Sequence, residues 1–304
     1  MNPTDDLACF SMMLQRLAPG VGALGTLELV DVGYGATTLR STSGVAVRIP
    51  HTERQAMRQQ AMTSPLGRLA ALLPVAIPKP LWTIPMGHPF DLGATGYAWL
   101  PGEPLEPPDY TPALADQVGA FLATLHDVDI TSFVGKFRDR VTVDADRERM
   151  MSVSLAWLGD MEPAPVVERL ERWWDRYRAA RAEATYQPRV IHGDFWYGNL
   201  LFDTDRQRLV GVIDWEEVSV DDPAQDLATL LHTGDDVAEE ILRAYQDHGG
   251  TVDAATRERM RWHWEFREFT GIALALEVGN EVEAQDAARK LREGPLRPLF
   301  EVSP

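Results

Sequence analysis

The sequence predicts an α+β chain with two lobes, a small β-rich one at the N-terminus and a larger helical one at the C-terminus. Three observations predict it. At 304 residues and 45% hydrophobic content, the chain can bury more core than one compact domain usually needs. Apolar and β-branched runs cluster between Leu27 and Ile49. From Thr111 onward, apolar stripes recur at helical spacing.

Taken in order, the N-terminal stretch MNPTDDLACFSMMLQRLAPG has two early acids and an apolar run interrupted by Gln15 and Arg16, which argues against a signal peptide. The runs LELVDV, ATTL and VAVRI are separated by Gly33-Tyr34-Gly35 and by Ser41-Thr42-Ser43-Gly44, a pattern of three consecutive antiparallel strands. A polar helix is expected from about Thr52, and PVAIPKPLW is expected to be extended because its prolines exclude a helix. Gly and Pro crowd residues 85–96, and GYAWL leads into PGEPLEPP. The expected boundaries are therefore 1–96 for the first lobe, 97–108 for a hinge or linker, and 109–304 for the second lobe.

In the second lobe, Thr111 and Pro112 suit a helix start, and Leu114, Val118, Phe121, Leu122 and Leu125 make one apolar stripe. Val166, Leu170, Trp173, Trp174 and Tyr177 make another, and Val237, Ile241, Leu242 and Tyr245 a third that stops at Gly249-Gly250. A last helix from about Ala254 to Glu277 carries Met260, Trp262, Trp264, Phe266 and Phe269. Residues 131–160 show neither period clearly.

Composition narrows the function. Cys9 is the single cysteine, so no intrachain disulfide, Cys-rich zinc site or iron–sulfur site can form, and a reducing compartment is expected. No stretch approaches the uninterrupted apolar length that spans a bilayer, so a cytoplasmic protein is expected. Forty-six acids against 29 Lys and Arg give a formal charge of −17, which repels nucleic acid and anionic membrane and attracts cationic ligands.

The informative stretch runs from Val190 to Leu230. A β-type run, RVI, feeds His192-Gly193-Asp194, Asn199 follows Asp194 by five positions, and a second run, LVGVI, delivers Asp214. Phosphoryl transfer needs positioning, a group to receive the acceptor proton, and oxygen ligands for the metal that bridges the phosphates. Asn199 and Asp214 together with phosphate oxygens suit Mg²⁺, which leaves Asp194 to orient a hydroxyl.

HGDxxxxN, then IDW, then DDPxxDLA resembles the aminoglycoside phosphotransferase family, whose fold is protein kinase-like. The resemblance implies a nucleotide-binding first lobe, a catalytic and acceptor-binding second lobe, Asp194 as catalytic base, Asn199 and Asp214 as Mg²⁺ ligands, and ATP or GTP as phosphate donor. It gives Asp222 and Asp226 structural roles, His192 a loop-bracing one and His126 a structural one. VAVR puts Arg48 at the phosphate-binding basic position, where a guanidinium can fork onto two oxygens. VGYG, with Gly33, Tyr34 and Gly35, sits where the nucleotide-covering loop belongs, and GYAWLPGE is similar to the hinge, placing adenine against backbone groups of Ala98 and Leu100.

One feature departs from the family pattern. Between His51 and Phe90 the only acid is Glu53, and Gln59, Gln60 or Met62 stands where relatives carry a Glu paired to the basic residue. Either Glu53 reaches Arg48 or another group holds it. The tail LALEVGNEVEAQDAARKL resembles the macrolide 2′-phosphotransferase branch. Trp262, Glu265 and Glu268 on the aromatic helix are the expected acceptor contacts, presenting carboxylates beside apolar surface to an amine-bearing antibiotic. The alternatives are a kinase of a cellular amino alcohol or sugar, and a catalytically idle nucleotide-binding protein of the same fold.

Overall fold

The computed structural model describes residues 7–17, 22–33, 35–87 and 90–301. In chain order its elements are α1 (Leu7–Leu17), β1 (Leu27–Val32), β2 (Ala36–Ser41), β3 (Val45–Pro50), α2 (Glu53–Leu69), β4 (Pro80–Ile84), β5 (Ala94–Ala98), α3 (Pro112–His126), β6 (Arg138–Asp139) and α4 (Arg140–Gly159). They continue with α5 (Ala164–Glu183), β7 (Arg189–Ile191), β8 (Leu200–Asp203), β9 (Arg208–Val212), β10 (Ser219–Asp221), α6 (Ala224–Thr229), α7 (Asp235–Asp247), α8 (Ala254–Glu277) and α9 (Glu281–Glu293). Among the described residues no helix is long and apolar enough to cross a membrane.

The chain divides into two compact units, Met1–Gln117 with Tyr197–Glu217, and Val118–Trp196 with Val218–Pro304. The lobes expected from sequence were continuous, divided at 97–108. The compact units are interleaved, because β8 and β9 belong with the N-terminal strands.

The first unit is built on a five-stranded sheet in the order β1-β2-β3-β5-β4, with β1, β2 and β3 in the antiparallel succession that the turn residues predict. One face buries Leu27, Leu39, Val47 and Ala94 against Phe10 and Leu14 of α1. Helix α2 begins where the Thr52 hydroxyl accepts the Gln55 amide, an N-cap that satisfies one otherwise unpaired donor. The β8–β9 hairpin joins this unit through backbone: Glu103 and Phe202 exchange hydrogen bonds of 3.1 and 2.9 Å, and Val212 N–H donates to Ala76 O at 3.0 Å.

The second unit packs α4, α5, α8 and α9 around Met151, Leu170, Trp173, Phe269, Ile272 and Ala288. The stripes expected on α3, α5 and α7 face inward, and α8 spans the predicted Ala254 to Glu277. Gly119 of α3 must be glycine, since a Cβ there would sit 2.6 Å from Ala244 Cβ and 2.6 Å from Tyr245 N on α7. A three-stranded sheet, β6-β10-β7, ends in β7, which carries the chain into the Asp194 loop.

Candidate active site

In the first unit, the β8–β9 hairpin sets Asn199 and Asp214. Asn199 ends a 3₁₀ turn that leads directly into β8, and Ile213 N–H donates to Asn199 O at 2.9 Å, so the backbones of the two segments are tied at the base of the hairpin. Trp215 is buried and its indole N–H donates to Val212 O at 2.8 Å, closing a tight turn around Asp214. Asp214 stands at that corner with φ 66°, a left-handed conformation that Asp tolerates better than most residues.

Arg48 rises from β3, whose neighbours are Thr38 of β2 and Thr95 of β5. Its guanidinium lies 2.8 Å from a Glu216 carboxylate oxygen and 3.3 Å from an Asp214 oxygen. The next residue, Glu217, is 2.5 Å from the guanidinium of Arg58 on α2. The Gln59 side-chain amide donates to the Arg48 carbonyl at 3.2 Å. Burial disfavours the charge on Arg48, but Asp214 and Glu216 outweigh it and hold the guanidinium protonated above its usual range. Burial pushes Glu216 up to about 7 against the pull of Arg48, with Asp214 and Glu217 adding to the rise.

Glu216 was missed in the sequence, where an acid was sought only in the helix after the basic strand. The available signal was the pair of acids that directly follows Asp214-Trp215. Gly35 adjoins the same carboxylate: a Cβ there would stand 2.7 Å from Glu216 Oε2. Gly33 N–H donates to Ala36 O at 3.1 Å, which closes the turn between β1 and β2, and Tyr34 lies outside the described residues. Ala98 pairs with Val45 at the end of β5, while the Leu100 side chain approaches within 3.4 Å of where a Cβ on Gly211 would be.

Asn199 and Asp214 present oxygen donors, the chemistry Mg²⁺ prefers. Among the described residues no group of three or more His, Cys, Asp or Glu is placed to hold a metal by itself. A hard cation held by these two would complete its shell with phosphate and water, as Mg²⁺ commonly does.

In the second unit, β7 delivers the half-buried Asp194, and the loop's backbone is fixed by α6. Asp226, wholly buried, accepts the amides of His192 and Gly193 at 2.8 Å each, and Gln225 donates to Gly193 O at 2.7 Å. Gly193 has φ 86°, a conformation that favours glycine. The buried His192 accepts the Asp194 amide on Nδ1 at 3.2 Å, which puts its own proton on Nε2 when neutral. His126 lies 3.2 Å from Asp226 and 2.9 Å from the Tyr245 hydroxyl. Asp222 takes Arg259 Nε at 2.9 and 3.1 Å and the Ala224 amide at 3.0 Å. His192, His126, Asp222 and Asp226 thus hold the loop and the helix that follows it.

The residues expected as acceptor contacts have partners of their own. Glu265 is buried and accepts from Trp173 Nε1 and from Arg261, both at 2.8 Å, so it is a core carboxylate with its partners inside the unit. Trp262 packs on Trp173 and Tyr177 with Arg261 4.4 Å above its ring. Glu268 is paired with Arg267 at 2.8 Å. An exposed aromatic group lies closer to Asp194 in sequence: Trp196, 36% exposed, meets the His232 ring at 6.2 Å, and His232 meets Trp264 at 4.7 Å.

The sequence model of the phosphotransferase enzyme family matches residues 26–263. Viomycin phosphotransferase of Streptomyces vinaceus is 41% identical over 73 residues, a stretch that spans 23% of this chain and 24% of that protein's own length. Among solved structures, the GDP complex of wild-type aminoglycoside 2′-phosphotransferase-IIIa has a TM-score of 0.77 at 16% identity, over 96% of this chain and 98% of that one. Macrolide 2′-phosphotransferase type I has a TM-score of 0.68 at 23% identity, over 95% and 97%.

Proposed function

Because the chain belongs to the phosphotransferase enzyme family, we propose that it is an Mg²⁺-dependent kinase that moves the γ-phosphoryl group of ATP or GTP onto a hydroxyl of an amine-bearing antibiotic. The observation that carries this reading is the half-buried Asp194, its loop fixed on buried Asp226, in a chain that also sets Asn199, Asp214 and Arg48 together. Asp194 receives the proton as the acceptor oxygen bonds to the γ-phosphorus, and the bond from that phosphorus to the β–γ bridging oxygen breaks to release the nucleoside diphosphate. Mg²⁺, when bound, neutralises charge on the phosphate oxygens. Asn199 and Asp214 would hold it, and Arg48 would orient the donor phosphates.

For the acceptor, relatives named for macrolides, aminoglycosides and viomycin define the panel. The exposed Trp196 beside the Asp194 loop offers a face for an apolar ring or, by cation–π attraction, for an amine. A cellular amino alcohol or sugar is the second reading, favoured by the occupation of Glu265 and Glu268 by their own neighbours. Incubation with MgATP or MgGTP and each class, followed by mass spectrometry, decides between them. We expect one added phosphate on a macrolide, an aminoglycoside or viomycin. Phosphate added only to choline-like or sugar acceptors would sink the antibiotic reading, and no transfer to any hydroxyl would sink the kinase reading.

A further inference from the structure

Among the described residues of the first unit, no acid of helix α2 pairs with Arg48 of the strand. Helix α2 turns Gln55, Ala56, Gln59 and Met62 inward, and its one acid, Glu53, is exposed in the first turn. The helix instead contributes a base, Arg58, and the strand contributes another, Arg48. Both acids come from consecutive positions of the loop that begins with Asp214, Glu216 on Arg48 at 2.8 Å and Glu217 on Arg58 at 2.5 Å.

We propose that Glu216 is the positioning residue for Arg48, and that Glu217, through Arg58, ties α2 to the same loop. This rests on the reading of Arg48 as the donor-phosphate residue. Two further observations support it. Arg48 is closer to Glu216 than to Asp214, so if Asp214 turns to a cation the guanidinium keeps a carboxylate partner. Space is also matched to that carboxylate: at Gly35 even a Cβ would run into Glu216 Oε2 at 2.7 Å, with the Gln55 amide nitrogen 3.9 Å from the same point. Glu216 acts on the donor only through the guanidinium it aims, while Glu217 and Arg58 hold the helix that packs behind β3.

The test is a double-mutant cycle on MgADP binding, measured by isothermal titration calorimetry on the full chain. Glu216→Gln alone should weaken MgADP by about tenfold or more, a loss of the size that close charge pairs give in such cycles. In an Arg48→Met background the same change should cost less than about twofold, because there is no guanidinium left to aim. A general structural role would give equal losses in both backgrounds, and that result, or an unchanged affinity in Glu216→Gln, overturns the positioning role. If Glu216→Gln does not fold, Glu216→Asp, which withdraws the charge by one methylene, enters the same cycle and is judged by the same coupling. For the second pair, Arg58→Glu and Glu217→Arg should each lower Tm, and the two together should recover most of the loss; no recovery overturns the tether. Failure of the unaltered protein to bind MgADP would instead strike the kinase reading itself, so the two failures are distinguishable.

Discussion

In the second unit the Asp194 loop is held by backbone: a wholly buried Asp226 accepts two consecutive amides at 2.8 Å, and Gln225 donates to the Gly193 carbonyl that follows them. In the first unit Asp214 is held by a guanidinium at 3.3 Å, with the two side chains 37% and 20% exposed. The difference matches what the proposed roles ask of each group. A proton acceptor needs one fixed position, and bonds between a buried side chain and backbone fix it for as long as the unit is folded. A phosphate-binding guanidinium and a metal-binding carboxylate must exchange partners when the donor arrives, and a partly solvated ion pair can do so at small cost.

The largest expected effect tests the fixed side. Asp194→Asn should lower turnover by about 10²–10⁴ while leaving nucleotide binding in place. Asp226→Ala breaks the frame itself. Leaving the two loop amides buried and unpaired should cost roughly 3 kcal/mol of stability by urea denaturation. On the exchangeable side, ATP at about a hundred times its dissociation constant should protect by about 2.7 kcal/mol with Mg²⁺ present, and Asp214→Ala or EDTA should remove the metal-dependent part of the melting shift.

A pH series sharpens the comparison further. Burial raises the Asp222 carboxyl, but hydrogen bonding and charge from His263, then Arg259 and the Ala224 amide, overcome that and hold it down at about 2. Arg259 is charged whatever His263 does, so the direction stands on that pair. A folded pKa below the unfolded one contributes stability that is present above about pH 4 and is lost as pH falls toward 2. Urea midpoints between pH 6 and 2.5 should show a loss of roughly 2 kcal/mol from this group, absent in Asp222→Asn. The smallest effect belongs to the surface: Glu239→Gln removes the exposed pair with Arg257 and should change stability by less than about 1 kcal/mol.

Much of this was legible from periodicity. The β1, β2 and β3 runs are separated by turn residues, and the stripes of α3, α5 and α7 are uniformly apolar, so each announces its own geometry. Helix α4 does not, because its inward face mixes Val143, Met150 and Met151 with Arg147 and Ser154, whose polar groups are paired inside the unit: Arg147 with Gln225 and Ser154 with Phe269 O. The same kind of burial hid Glu265, which looks like a solvated helix acid until Trp173 and Arg261 are seen to close on it. Asp194, Asn199 and Asp214 stood out because each ends or begins a short apolar run at a fixed spacing. The partner of Arg48 did not, since Glu216 is far from it in sequence and only the membership of the hairpin in the first unit brings the two together.

That interleaving also has a consequence for synthesis. Translation runs from the N-terminus, so a chain that has just been extended to Gln117 still lacks Tyr197–Glu217 and with it both acids that neutralise Arg48. The emerging β-sheet must keep that guanidinium hydrated, and leave Glu103 without Phe202, while the next segment of the other unit is being made. The half that leaves the ribosome first is thus not finished first. Premature termination at Gln117 would release a five-stranded sheet that lacks its β8–β9 hairpin, with Ala76 and Glu103 stripped of their backbone partners, the kind of species that chaperones retain and proteases clear.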